Sequence, residues 1–150
     1  MKMGRPRKRG AGLGTLTGKR KKAWTAFSKF IRLRDAIATT GTTDSCKCVT
    51  CGREYPVHKM HAGHFFPGRS DAVLFDEKGV NAQCYRCNIM LQGVWPAYYR
   101  VMQERYGQEW IETGIETWAM NNDSYSDTEL EGIESYYNRE YQLLKEEYNG

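Results

Sequence analysis

Two Cys-x2-Cys pairs, Cys48-Val-Thr-Cys51 and Cys84-Tyr-Arg-Cys87, stand 32 residues apart and constrain this chain more than any other feature. Two residues between thiolates let each pair close a tight knuckle that presents both sulfurs to one tetrahedral ion. Two knuckles complete a four-cysteine zinc shell with no open position, which makes the site structural rather than catalytic. In a chain of 150 residues such a staple contributes substantially to folding. The N-terminus is charged and lacks the apolar stretch of a secretory signal, so a reducing cytoplasm is the expected location and metal ligation is favoured over disulfides. A redox reading is disfavoured, because neither pair opens a helix after a thioredoxin-like strand. Cys46 is the odd thiol. It could replace Cys48 in a Cys-x-Cys arrangement, but Gly52 directly after Cys51 favours the 48/51 knuckle and leaves Cys46 as a free thiol.

Around this block the chain divides into a basic arm, 1–20, and one folded domain, 21–150. The arm is rich in Gly, Lys and Arg and too poor in large apolar groups to offset chain entropy, so it is expected to be disordered. Within it Gly4-Arg5-Pro6-Arg7-Lys8-Arg9 is AT-hook-like, and a narrow minor groove attracts inserted arginine. Trp24, Phe27, Phe30 and Ile31 recur at helical spacing and predict a helix over about 21–38. A polar loop follows over 39–45. A second helix is expected from Cys87–Asn88, broken around Gly93–Pro96 and stopping at Gly107, with a third over 108–119. Ser126-Asp-Thr-Glu129 reads as a capping box opening a last helix to about 147. The class is α+β. No apolar run approaches the roughly 18 residues of a membrane span.

Charge is segregated along the chain. Residues 1–22 carry nine Lys/Arg and no acid, whereas residues 104–150 carry twelve Asp/Glu against three Lys/Arg. A basic end of this kind suits phosphate, and the partner it predicts is nucleic acid. Arg5, Arg7, Lys8 and Arg9 in the arm, with Arg53, Arg69 and Arg86 in or beside the cysteine block, are the candidate phosphate contacts.

Between the knuckles lies His58-Lys-Met-His61-Ala-Gly-His64-Phe-Phe, and directly after the second knuckle comes Asn88. A histidine ending a strand and an asparagine opening the following helix are the two groups a one-metal nuclease needs. A near-neutral imidazole takes a proton from water, and an amide oxygen holds a hydrated divalent cation whose shell phosphate completes. Cys87 places Asn88 to within one residue. His58 is expected as an exposed strand residue and His61 as an assisting residue at the edge of the site, with a second metal site on His58, His61 and His64 as the alternative.

The runs Ala62-Gly63-His64-Phe65 and Asn81-Ala-Gln83-Cys84-Tyr-Arg-Cys87-Asn88 resemble the lambdoid-phage NinG/Rap recombination nucleases. Phe27-Ser28, Phe30-Ile31-Arg32-Leu33-Arg34-Asp35, Tyr98-Tyr99-Arg100 and Tyr106-Gly107 extend the likeness over roughly 24–145. A more distant similarity is to phage recombination endonuclease VII, which shares the paired knuckles with Asn after the last Cys. The resemblance implies a small ββα-metal (HNH) core with a four-cysteine zinc site, flanked by an N-terminal helix and C-terminal helices. It also implies cleavage of branched DNA such as Holliday junctions, His64 as general base, and Asn88 as ligand of a catalytic Mg2+ or Mn2+. The chain departs from the pattern in three places. Gly79 stands where the central Asn of the motif usually lies, with Asn81 the candidate for its loop-fixing role. Gly63 stands where many such sites carry Asp, and Gly93-Val94 where family members often carry Gly-Asn. Symmetric junction cutting needs two active sites, so a homodimer is expected. The competing readings are a zinc-knuckle DNA-binding accessory protein without nuclease activity, and a non-specific HNH nicking endonuclease.

Overall fold

The structure is a computed structural model that describes residue 16 and residues 18–66, 71–120 and 124–149. The AT-hook-like run with Arg5, Arg7, Lys8 and Arg9 lies outside the described residues, and so does Arg69.

The first helix, α1 (Gly18–Thr40), begins three residues earlier than its aromatic periodicity predicts and runs two residues further. Trp24, Phe27 and Ile31 form its buried stripe at spacings of three and four residues. It stops where Gly41 takes a left-handed φ of 72° and returns its N–H to the Ile37 carbonyl. Packed along it is the last helix, which closes the aromatic layer with Tyr137 edge-on to Phe27 at 4.8 Å. That helix opens with the reciprocal bonds expected of the Ser126–Glu129 box: Glu129 N–H donates to Ser126 Oγ, and Ser126 N–H to Glu129 Oε2.

Between these helices the chain makes two small antiparallel hairpins. β1 (Ser45–Lys47) pairs with β2 (Glu54–Pro56), and the first knuckle forms their turn. β3 (His61–His64) pairs with β4 (Val80–Gln83), so that His61 faces Gln83, Gly63 faces Asn81 and His64 faces Val80. A single helical turn, α2 (Asp71–Leu74), lies in the connection. His58 is exposed as expected, but it sits in a 3-10 turn, Val57–Lys59, rather than in a strand.

After β4 the structure corrects the predicted helix. In place of an α-helix from Cys87–Asn88 there is one π-helical turn, Arg86–Met90, closed by Leu91 N–H on the Arg86 carbonyl at 2.8 Å. Gln92, Gly93 and Val94 then adopt φ of 52°, 91° and 47°. Three left-handed residues in succession cannot continue a right-handed helix. The long helix α3 (Trp95–Met120) therefore starts only at Trp95, and it bends at Gly107, where φ is 85° and ψ 166°. The expected stop at Gly107 and restart at 108 thus survive as a kink within one element. α4 (Asp127–Asn149) is the helix that lies on α1.

The β3–β4 hairpin is buried between two apolar layers. Ala62, Leu74 and Val80 join Trp24, Phe27 and Ile31 on the α1 side. Phe65, Phe66, Tyr98, Met102 and Ile111 form the layer against α3, with Trp95 stacked on Phe65 at 4.7 Å. No helix among the described residues is long and apolar enough to cross a membrane.

Candidate metal centre and active site

The four predicted cysteines converge. The sulfurs of Cys48, Cys51, Cys84 and Cys87 all lie within 4.8 Å of one another, and no other group of three or more His, Cys, Asp or Glu donors gathers among the described residues. Ligands about 2.3 Å from a tetrahedral zinc stand about 3.8 Å apart, and Cys51 Sγ is 3.8 Å from Cys84 Sγ. The local backbone is built for this. Gly52 takes a φ of 73°, a left-handed conformation that closes the first knuckle, and donates its N–H to the Cys48 carbonyl. In the second knuckle Cys87 N–H points at Cys84 Sγ at 3.5 Å.

The thiols themselves call for a cation. Burial opposes ionisation of Cys48, but the Thr50 hydroxyl and the N–H groups of Cys51, Cys84 and Thr50 outweigh it and bring the thiol down to about 7. Burial pushes Cys87 up to about 12, with the neighbouring sulfurs adding to the effect, and burial likewise raises Cys51. One sulfur is eased towards ionisation while two others resist, chiefly through burial and secondarily through the neighbouring sulfurs. A divalent ion such as zinc would favour the thiolate form of all four by ligating each sulfur, and would offset part of their mutual repulsion. Cys46 is buried beside Thr39 in β1, outside the cluster, with burial raising its thiol to about 11.

His64 lies at the far end of β3 and is held from two sides. Its ring stacks on Trp24 at 4.9 Å and 19°, and its Nε2 is 3.1 Å from the Leu74 carbonyl. A carbonyl only accepts, so this bond puts a proton on Nε2, and in the neutral ring the lone pair is then on Nδ1. His61 is at the near end of the strand. It faces Gln83, the residue before Cys84, and its ring lies 5.8 Å from Tyr85, at the start of the turn that carries Asn88. Burial, followed by the charge of Arg32, lowers its pKa and favours the neutral imidazole. The structure therefore brings His61 beside the Asn88 turn. His64 stands three residues further along the strand, about 10 Å by strand rise. Asn88 is half-buried, and its N–H is anchored on the Cys84 carbonyl at 2.9 Å.

Asn81 is 2% exposed and sits at the centre of a polar network. Its amide donates to the Lys78 carbonyl at 3.3 Å, spanning the loop before β4, and to Tyr98 Oη at 3.2 Å. Its Oδ1 accepts from Arg34 Nη2 and Arg105 Nη1, each at 3.2 Å. Arg34 also donates to the carbonyls of Glu77 and Val80, while Asp35 accepts the Ala82 N–H at 2.7 Å. Tyr98 donates to the Gly63 carbonyl at 2.7 Å. Together these residues lock the hairpin that bears both histidines. The sequence reading did not single out Arg34, Asp35, Tyr98 or Arg105 for a role. The available signal was two adjacent charges, Arg34-Asp35, inside an otherwise apolar helical stripe. Gly63 has a steric cause, since a Cβ there would fall on the Gln83 amide. At Gly79 a Cβ would come within 2.7 Å of Asp76 Oδ2. Of the candidate phosphate contacts, Arg53 and Arg86 are both exposed, one beyond the first knuckle and one on the π turn.

A family model described as the bacteriophage lambda NinG protein matches residues 4–147. No curated protein and no solved structure matches the chain.

Proposed function

The chain belongs to the bacteriophage lambda NinG family, and from that premise we propose that it is a metal-dependent HNH-type DNA endonuclease. Its substrates are branched recombination intermediates such as Holliday junctions. The observation that carries the reading is the mounting of His64, stacked on Trp24 and bonded through Nε2 to a backbone carbonyl. A general base needs this arrangement: a ring held in one orientation and one tautomer, with the lone pair on the opposite nitrogen.

In this reading His64 Nδ1 takes the proton from a water aligned with the scissile phosphate. Asn88 offers a neutral amide oxygen from a turn fixed by Cys84 and Cys87. A single neutral oxygen of this kind suits a hydrated Mg2+ or Mn2+ that takes few protein ligands and completes its shell with water and phosphate. Bound there, such an ion would supply charge stabilisation at the phosphate and the departing 3′-oxygen. His61, neutral and next to the same turn, assists at the edge of the site. Arg53 and Arg86, with Arg69 and the basic arm, hold the DNA backbone. Two such sites in a homodimer would cut a junction symmetrically.

The test is cleavage of a four-way junction and a matched linear duplex in Mg2+ by wild type and Asn88→Ala. The proposal expects junction-selective nicking that the substitution abolishes while zinc content is unchanged. Equal cutting of both substrates would point to a non-specific nicking enzyme. Tight binding with no cutting under any divalent ion would leave a zinc-knuckle DNA-binding accessory protein.

A further inference from the structure

The second knuckle and the turn that leaves it expose four large apolar side chains within seven residues: Tyr85 at 55%, Ile89 at 46%, Met90 at 66% and Leu91 at 47%. Scattered apolar residues on a surface need no explanation, but a contiguous group does. This group is held outward by the backbone. The π turn widens the helix, and the left-handed run Gln92–Val94 prevents its continuation into α3. A β-branched residue at a φ of 47° is strained, and such strain persists only where the surroundings impose it. Here they do: Gly93 N–H bonds the Cys87 carbonyl at 2.7 Å, and Gln83 donates to the Gly93 carbonyl at 3.1 Å. The four-cysteine cluster anchors one end of this strained connection.

Charge decides what the patch faces. Residues 80–103 contain no Asp or Glu but include the exposed Arg86 and Arg100, in a chain whose acids concentrate in the later part of α3 and in α4. An apolar tip in an acid-free, basic stretch complements a polyanion with apolar faces, which describes unstacked nucleic-acid bases between phosphates.

We propose that the π turn is a DNA-inserting element, in which Ile89, Met90 and Leu91 lie against bases unstacked at a branch or kink while Arg86 meets the flanking phosphate. This rests on the reading that the chain works on DNA, but not on its cutting DNA.

The experiment uses the full chain loaded with its metal, in buffer without Mg2+, and a four-way junction carrying 2-aminopurine beside the branch. Wild type is expected to raise the 2-aminopurine fluorescence on binding. Met90→Ala and Leu91→Ala should each lose most of that rise and bind the junction about five- to thirty-fold more weakly. Affinity for linear duplex should change little, and Met90→Leu should restore the signal. Co2+ substitution, which reports the thiolate cluster, confirms that each variant is folded. No fluorescence change with wild type, or alanine variants that match it, would overturn the proposal. It would also fall if Met90→Ala broke a dimer while junction affinity per protomer stayed constant, since the patch would then belong to a second copy of the chain. A protein that unstacks the branch but never cuts in Mg2+ would contradict the nuclease reading and leave this one standing.

Discussion

Removing a single oxygen from Tyr98 tests whether the polar network holds the histidine hairpin. The side chain is 1% exposed, and its hydroxyl joins three elements. It donates to the Gly63 carbonyl of β3 at 2.7 Å and accepts from Asn81 of β4 at 3.2 Å. Burial raises its pKa above the usual phenol range, so the hydroxyl stays protonated and remains a donor. Tyr98→Phe keeps the ring packing against Phe65 and Met102 and deletes both bonds. The Asn81 amide retains the Lys78 carbonyl and the weak contact to Met102 Sδ, so its loss is partial. The Gly63 carbonyl loses a bond of 2.7 Å. Leaving buried polar atoms short of a partner costs about 1–3 kcal/mol. At this chain length each kcal/mol moves Tm by about 2–4 °C, so a fall of roughly 2–12 °C is expected. Thermal melting followed by circular dichroism reads the shift, with metal content measured alongside. A Tm within about 1 °C of wild type would refute the view that this network secures the hairpin.

Two further outcomes follow from the thiols and from His61. Stripping the metal with a strong thiol-competing chelator should melt the knuckles and the β3–β4 hairpin together, and one equivalent of Zn2+ should restore them; Cys87→Ser should mimic the stripped protein, and retention of native circular dichroism after metal loss would contradict a structural role. His61 has a lowered pKa in the fold, so the unfolded chain binds its proton first. Stability should therefore be full above the ordinary histidine value of about 6.5 and decline as pH falls through the lower folded value. His61→Gln should flatten that part of a urea-denaturation pH series, and an unchanged slope would show that His61 is not its source.

What the sequence revealed was the chemistry that spacing encodes. Cys48, Cys51, Cys84 and Cys87 were legible because knuckle geometry depends on two intervening residues, and their sulfurs do converge. The aromatic stripe of α1 and the Ser126–Glu129 box were legible for the same reason, being local and periodic. The π turn was not. Arg86–Met90 reads as the start of an ordinary helix, and only the tie from Gly93 to Cys87, a consequence of the knuckle's path, breaks it before Trp95. His58 read as a strand residue because alternation cannot detect the 3-10 turn after Pro56. The partnership of Arg34 and Arg105 with the buried Asn81 joins residues 47 and 24 positions apart, and no local pattern announces it. Strand register, too, was hidden: only the pairing of His61 with Gln83 shows which histidine stands next to the Asn88 turn.

The most direct measurement is single-turnover cleavage of a four-way DNA junction in Mg2+ by wild type and His64→Ala, each shown to carry its metal. Wild type should cut near the branch, leaving 5′-phosphate and 3′-hydroxyl ends, and the substitution should slow cutting by about 10²–10⁴-fold with junction affinity little changed. A His64→Ala protein that cuts as fast as wild type, or a wild type that binds the junction and leaves it intact, would contradict the account.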